Sequence, residues 1–291
     1  MRDNYEEMSH LHLRRCFATL ALIIGALWTV TAQELTLPNA AGSVRFAVIG
    51  DSGDGDPAQV EVANLMFRLH SKFAFDRIIM LGDNIYGSQG AQDLDKKFAV
   101  PYQALLGAGV KFYAALGNHD SPANNKYPLF NMNGERFYTY AEKNVRFFSL
   151  DSNMVDAKEL AWLEDGLKTA TEPWKICYFH HPLYSDGGTH GPEVDVRVKF
   201  EPLFVKYGVN VVFSGHEHFY ERLVPQKGIS YFISGAAGEL RKGDVNRSAM
   251  TAAAYDQNQS FMLVEIVKGD LYFQAISRTG QTVDSGVIHH P

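Results

Sequence analysis

Short apolar runs punctuate the chain: VRFAVI (44–49), RIIML (77–81), KFYAAL (111–116), VRFFSL (145–150), KICYF (175–179) and VNVVF (209–213). Several are apolar at successive positions, so both faces need cover, as in the interior of a sheet flanked by other layers. Between them the period lengthens to that of a helix. Asp56-Pro57 sets an N-cap ahead of a proline suited to the first helical turn, and predicts a helix to about Lys72. Asp156 and Glu159 have capping-box spacing ahead of Leu160, Leu163 and Leu167. A third helix, over 193–207, ends at Tyr207-Gly208, with Pro202 inside it as a site for a kink. From 219 onward strand-like runs dominate (SYFIS, FMLVEIV, LYFQAIS). Strand–helix alternation followed by strands indicates an α/β layered fold with mixed sheets, and no linker divides it.

Composition narrows the class. A chain of 291 residues with 46% hydrophobic content can bury a large core. A formal charge of −6 with no basic run argues against a general nucleic-acid partner. The first 32 residues differ from the rest. Arg14 and Arg15 precede an apolar stretch from Cys16 to Val30, and Val30 and Ala32 fit a cleavage site before Gln33. That layout predicts a cleaved signal peptide over 1–32, export to the periplasm or outside the cell, and a mature domain over 33–291. The apolar stretch is short for a membrane span, so stable membrane insertion is not expected after cleavage. RRCFA is a partial match to a twin-arginine export signal. Cleavage leaves Cys177 as the lone cysteine, in an apolar run where a small buried hydrophobe is expected. Asn246 and Asn258 open N-x-S sequons that matter only where the source glycosylates.

The candidate chemistry lies where the strands run out. VRFAVI ends in GDSG, RIIML in GDNIY, KFYAAL in GNHD, KICYF in HHP and VNVVF in SGHEH. Ligands of open α/β sheets bind at the carboxyl ends of strands. Asp51, Asp83, Asn118 and His216 each directly follow a glycine, which lets backbone approach a site without a Cβ in the way. Any one of these strings is ordinary turn chemistry; all of them together are not. Asp51, Asp83, Asn118, His180, His216 and His218 offer oxygen and imidazole nitrogen suited to Mn, Fe, Zn or Co. They are too many for one ion with an open position and about right for two, the arrangement that clamps an in-line displacement at phosphorus.

These strings resemble the signature of the metallophosphoesterase (calcineurin-like) superfamily, which runs D-x-G, G-D-x-x, G-N-H-D/E, H-x-P, G-H-x-H. Tyr86, in GDNIY, makes the chain similar to the purple and tartrate-resistant acid phosphatase branch, and the GHEHFYER and RFYTYAEKNVRFFSLDS stretches resemble its small members. The resemblance covers roughly 44–240. It implies a four-layer α/β/β/α sandwich of two mixed β-sheets flanked by helices, with a dimetal site at the C-terminal strand ends. It also implies that Asp51, Tyr86 and His218 hold a ferric ion, that Asn118, His180 and His216 hold a divalent ion (Fe, Zn or Mn), and that Asp83 bridges. A phenol titrates near pH 10 in water, so a coordinated phenolate calls for a strong Lewis acid such as Fe(III). A metal-bound hydroxide is the expected nucleophile.

Breaking a P–O bond also needs a proton for the leaving alkoxide and positive charge at the phosphoryl oxygens. His119 resembles the family's substrate-contacting histidine, with Asp120 expected to orient it. His190, in SDGGTHGPE, looks like a second such residue. His181 is expected behind the ligands, Glu217 and Tyr184 at the rim or in packing, and His289 and His290 in a tail. The leading reading is therefore an exported acid phosphatase acting on small-molecule phosphomonoesters. A phosphodiesterase or nucleotidase on the same site is the nearest alternative. Readings of other classes are a redox-active iron protein and a catalytically dead binding module; the intact ligand set with His119 argues against the last.

Overall fold

The computed structural model describes residues 34–290. The signal-peptide segment and its cleavage point, read from the sequence, lie outside the described residues. In chain order the strands are β1 (Val44–Ile49), β2 (Arg77–Leu81), β3 (Lys111–Ala115), β4 (Tyr138–Glu142), β5 (Val145–Ser149), β6 (Trp174–Tyr178), β7 (Val211–Ser214), β8 (Tyr220–Leu223), β9 (Ser230–Ser234), β10 (Thr251–Tyr255), β11 (Ser260–Val267), β12 (Asp270–Ser277) and β13 (Thr282–His289). The helices are α1 (Pro57–His70), α2 (Ala91–Leu94), α3 (Gln103–Gly107), α4 (Ala157–Thr169) and α5 (Val194–Tyr207).

Two mixed sheets result, ordered β13-β12-β11-β1-β2-β3 and β10-β8-β9-β7-β6-β5-β4. Neighbours β1, β2 and β3 run parallel, as do β5, β6, β7 and β9, while β4, β8, β10, β11, β12 and β13 pair antiparallel. The alternation of side chains along each strand sets the layers. On β1, Phe46 and Val48 point into the seam between sheets, with Phe147, Ile176, Phe213 and Phe232 opposite. Ala47 and Ile49 point the other way, against Val62, Leu65 and Met66 of α1. On the far side, Phe148 and Cys177 meet Leu163 and Leu167 of α4 and Phe200 and Phe204 of α5. The expected α/β/β/α sandwich is what the chain forms, and Cys177 is a buried core side chain.

The local signals read from the sequence translate with some differences. Asp56 accepts from Gln59 N at 2.8 Å, with Pro57 opening α1. Asp156 accepts from Glu159 N at 2.8 Å, but the capping box is only half made: the Glu159 carboxylate accepts from Asp151 N at 2.7 Å instead of returning to the cap. Gly208 closes α5 in the left-handed conformation, at φ 67°. Val209 still belongs to that turn through Val209 N donating to Phe204 O, so β7 starts two residues later than its apolar run. The C-terminal histidines are not a tail. His289 closes β13, and His290 Nε2 lies 2.8 Å from Pro173 O with its ring against Trp174. Among the described residues no helix is long and apolar enough to cross a membrane.

Candidate metal centre

Parallel β1, β2 and β3 of one sheet and β6 and β7 of the other end on the same edge of the sandwich. The residues that follow them therefore meet across the seam. Asp51, Asp83 and His180 are buried and form the floor. Asp51, Asp83 and His216 adopt positive φ (53°, 49° and 69°), a backbone state that side-chain-bearing residues seldom keep without a reason. Glycines let the turns close up: a Cβ on Gly82 would lie 2.6 Å from His180 Nδ1, and one on Gly215 would collide with the Asp51 carboxylate.

The donors fall into two groups. Tyr86 Oη donates to Asp51 Oδ1 at 3.2 Å and lies 3.2 Å from His218 Nε2, which is 3.4 Å from Asp51. His180 Nε2 lies 2.9 Å from Asn118 Oδ1 and 3.0 Å from His216 Nδ1. Asp83 joins the groups: its Oδ2 is 3.5 Å from His180 Nε2, its Oδ1 accepts from His119 N at 2.9 Å, and it acts on the Tyr86 hydroxyl.

The chemistry of this donor set fits cations. His180 Nδ1 donates to Leu81 O at 2.9 Å, which leaves Nε2 as a lone pair facing the Asn118 oxygen and the Asp83 carboxylate. Electron pairs crowded this way repel unless a positive charge lies among them. The electrostatics agree. Burial, then the neighbouring Asp83, hold the Asp51 carboxyl well above its usual range, and burial also raises Asp83. Burial lowers His216 to about 2 and His218 to about 4, and His180 falls well below the ordinary imidazole range. Burial beside Asp51 and Asp83 keeps the Tyr86 phenol protonated far above its usual titration. A cluster that resists both protonation of its imidazoles and ionisation of its acids is one that a cation would relieve.

The remaining site residues sort by position. His119 is exposed, with its ring 4.9 Å from that of Tyr86. His190 is exposed and its ring lies over His216, centroids 4.1 Å apart. Asp120, expected to orient His119, makes no bond to that ring. Its buried carboxylate accepts from Asn84 N (3.0 Å), Ile85 N (3.0 Å), Gly117 N (2.9 Å) and Asn84 Nδ2 (2.8 Å), and so ties the turn after β2 to the turn after β3. Glu217, expected at the rim or in packing, is fully buried, which leaves the packing reading. His181 is nearer than expected: with His180 and His216 it forms one cluster of candidate donors within 4.8 Å. Sequence reasoning passed over Ser152, whose Oγ is 2.9 Å from His181 Nδ1. It follows β5 as the ligands follow their strands, so the signal was present. Glu239 and Arg241, beside His218, had no such signal.

Comparison with known proteins bears on the same residues. Residues 44–220 match the model of the calcineurin-like phosphoesterase family. Tartrate-resistant acid phosphatase type 5 of Homo sapiens is 28% identical over 260 residues, covering 72% of this chain and 79% of that protein. Purple acid phosphatase 17 of Arabidopsis thaliana is 25% identical over 269 residues, 79% of each. Among solved structures, purple acid phosphatase PPD1 from yellow lupin superposes with a TM-score of 0.73 at 18% identity, over 87% of this chain and 55% of that one. GAP50, the anchor in the inner membrane complex of Plasmodium, superposes at 0.76 with 16% identity, over 86% and 89%. The lone-pair cluster thus sits inside the matched segment, and the chain belongs to the calcineurin-like phosphoesterase family, metal-dependent hydrolases of phosphoric esters.

Proposed function

We propose that this protein is an exported acid phosphatase that hydrolyses small-molecule phosphomonoesters with Fe(III) and a divalent ion as cofactors. The observation that carries the reading is the split of the donors into an Asp51–Tyr86–His218 group and an Asn118–His180–His216 group with Asp83 between them. The phenol of Tyr86 supports iron in the first group, because only a strong Lewis acid competes with its proton. The names of the similar purple and tartrate-resistant acid phosphatases support the same choice.

When bound, such a metal pair supplies Lewis acidity that neutralises phosphate charge and activates water at low pH. The chain's own residues do the rest. Buried Asp51, Asp83 and His180 hold the donor geometry without solvent competition. His119 and His190 stand exposed beside the centre, where an imidazolium would meet the phosphoryl oxygens and an N–H would reach the leaving alkoxide.

The test is elemental analysis of the purified protein together with rates on aryl phosphate mono- and diesters. Expected are two metals per chain, iron among them, a monoester preference, and loss of both metals with at least a thousandfold lower kcat, roughly, in Asp83→Asn. Full activity in that variant refutes the joining role, and a diester preference moves the reading to a phosphodiesterase. Iron binding without hydrolysis makes it a redox protein. Export predicts an intact mass that begins at Gln33.

A further inference from the structure

Glu217 separates His216 from His218 in sequence, yet its side chain is fully buried. Its Oε1 accepts from Gly191 N at 2.5 Å. Its Oε2 has no hydrogen-bond partner, and neither has Arg241 Nη1, 3.9 Å away. A buried carboxylate held by one hydrogen bond and a loose ion pair with Arg241 is costly, and its presence asks for a compensating role. What it touches is the loop 186–191. Gly187 packs so close that a Cβ there would overlap the Glu217 carboxylate. From the other side the segment 244–246 grips the same loop. Gly188 N donates to Asp244 O at 2.8 Å, Thr189 Oγ1 to Asp244 Oδ1 at 2.7 Å and Asn246 N to Asp186 O at 2.8 Å, and Gly187 bridges Val245. Between these two grips the His190 ring lies over the centre, tilted 31° to that of His216.

We infer that Glu217 is a positioning residue: it anchors the 186–191 loop from beneath and so fixes the His190 imidazole over His216, where it meets the substrate. The inference rests on the proposed hydrolysis at this centre. Because Glu217 is flanked by two candidate ligands, it also couples the loop to the centre with no intervening chain. A loop this rich in glycine (SDGGTHGPE) would otherwise hold the imidazole poorly.

The test is a double-mutant cycle on an aryl phosphate monoester, with metal content measured for each variant. His190→Ala is expected to lower kcat at least about tenfold. Glu217→Ala should approach that loss with metal content unchanged, and the double variant should be no slower than His190→Ala. Glu217→Gln, which keeps an acceptor for Gly191 N, should recover most of the rate. Additive losses, or loss of metal in Glu217→Ala, overturn the inference, as does full activity in either single variant. Should Glu217→Ala not fold, Thr189→Val releases the loop from Asp244 instead; a roughly two- to fivefold loss that vanishes in the His190→Ala background supports the inference, and an additive loss refutes it. Full activity in His190→Ala is distinguishable from failure of the proposed hydrolysis, which Asp83→Asn tests alone.

Discussion

Tyr86 carries the most specific chemistry of any single side chain in the centre. Its hydroxyl joins Asp51 and His218, and burial beside two carboxylates holds its proton in place. If iron takes that position, Tyr86→Phe removes the visible absorption of the iron-loaded protein. Aryl phosphate hydrolysis should stay within about tenfold, because Asp51, Asp83 and His218 remain. An unchanged spectrum means the phenol is not a ligand. At this scale the sequence was legible wherever a ligand candidate followed a strand and a glycine, as at Asp51, Asp83 and His216. Asp120 misled because its targets are the backbone amides of Asn84, Ile85 and Gly117, and backbone donors leave no residue-type signal. Glu217 stayed open between rim and packing because spacing between two ligands does not say whether the residue between them turns outward or into the core; it turns inward.

Elements were legible in proportion to how apolar they are. The runs that became β1, β2, β5 and β6 are buried along most or all of their length. By contrast β10 (TAAAY) and β13 (TVDSGVIH) have weak strand composition and form because a partner strand is waiting. Gly286 of β13 sits under the Phe273 ring of β12, which fills the space its own side chain lacks. Helix α4 offers a test of burial. Glu159 is fully buried with Oε2 unpaired, and burial lifts its carboxyl from 4.5 to about 8. The folded state therefore keeps a proton that the unfolded state releases. Its contribution is fully present below pH 4.5 and is lost as pH rises to about 8. Glu159→Gln keeps an acceptor for Asp151 N but cannot ionise. The variant should lose about 1–3 kcal/mol less stability than the parent between pH 5 and pH 8, read from urea midpoints. Parallel curves for the two proteins would show that Glu159 is ionised in the fold at neutral pH.

Across the whole molecule, two sheets meet along one apolar seam, and polar contacts reach across it on either side. At one end β1, β2 and β3 contribute Asp51, Asp83 and Asn118, while β6 and β7 contribute His180, His216 and His218. Elsewhere along the seam, Arg77 of β2 pairs with Glu142 of β4 at 2.8 Å, and the Tyr113 and Tyr140 rings stack at 4.3 Å. Chelation should lower Tm and raise amide exchange first in the turns after β1, β2 and β7, with β4 unaffected. Uniform exchange across both sheets would contradict this. The apolar seam joins the two sheets along their length, so bound ions would add their stabilisation at the Asp51–Asp83–His180 end and leave the Arg77–Glu142 end as it is. A protein deprived of metal would then keep its folded core and its gathered donors, ready to bind again when supply returns.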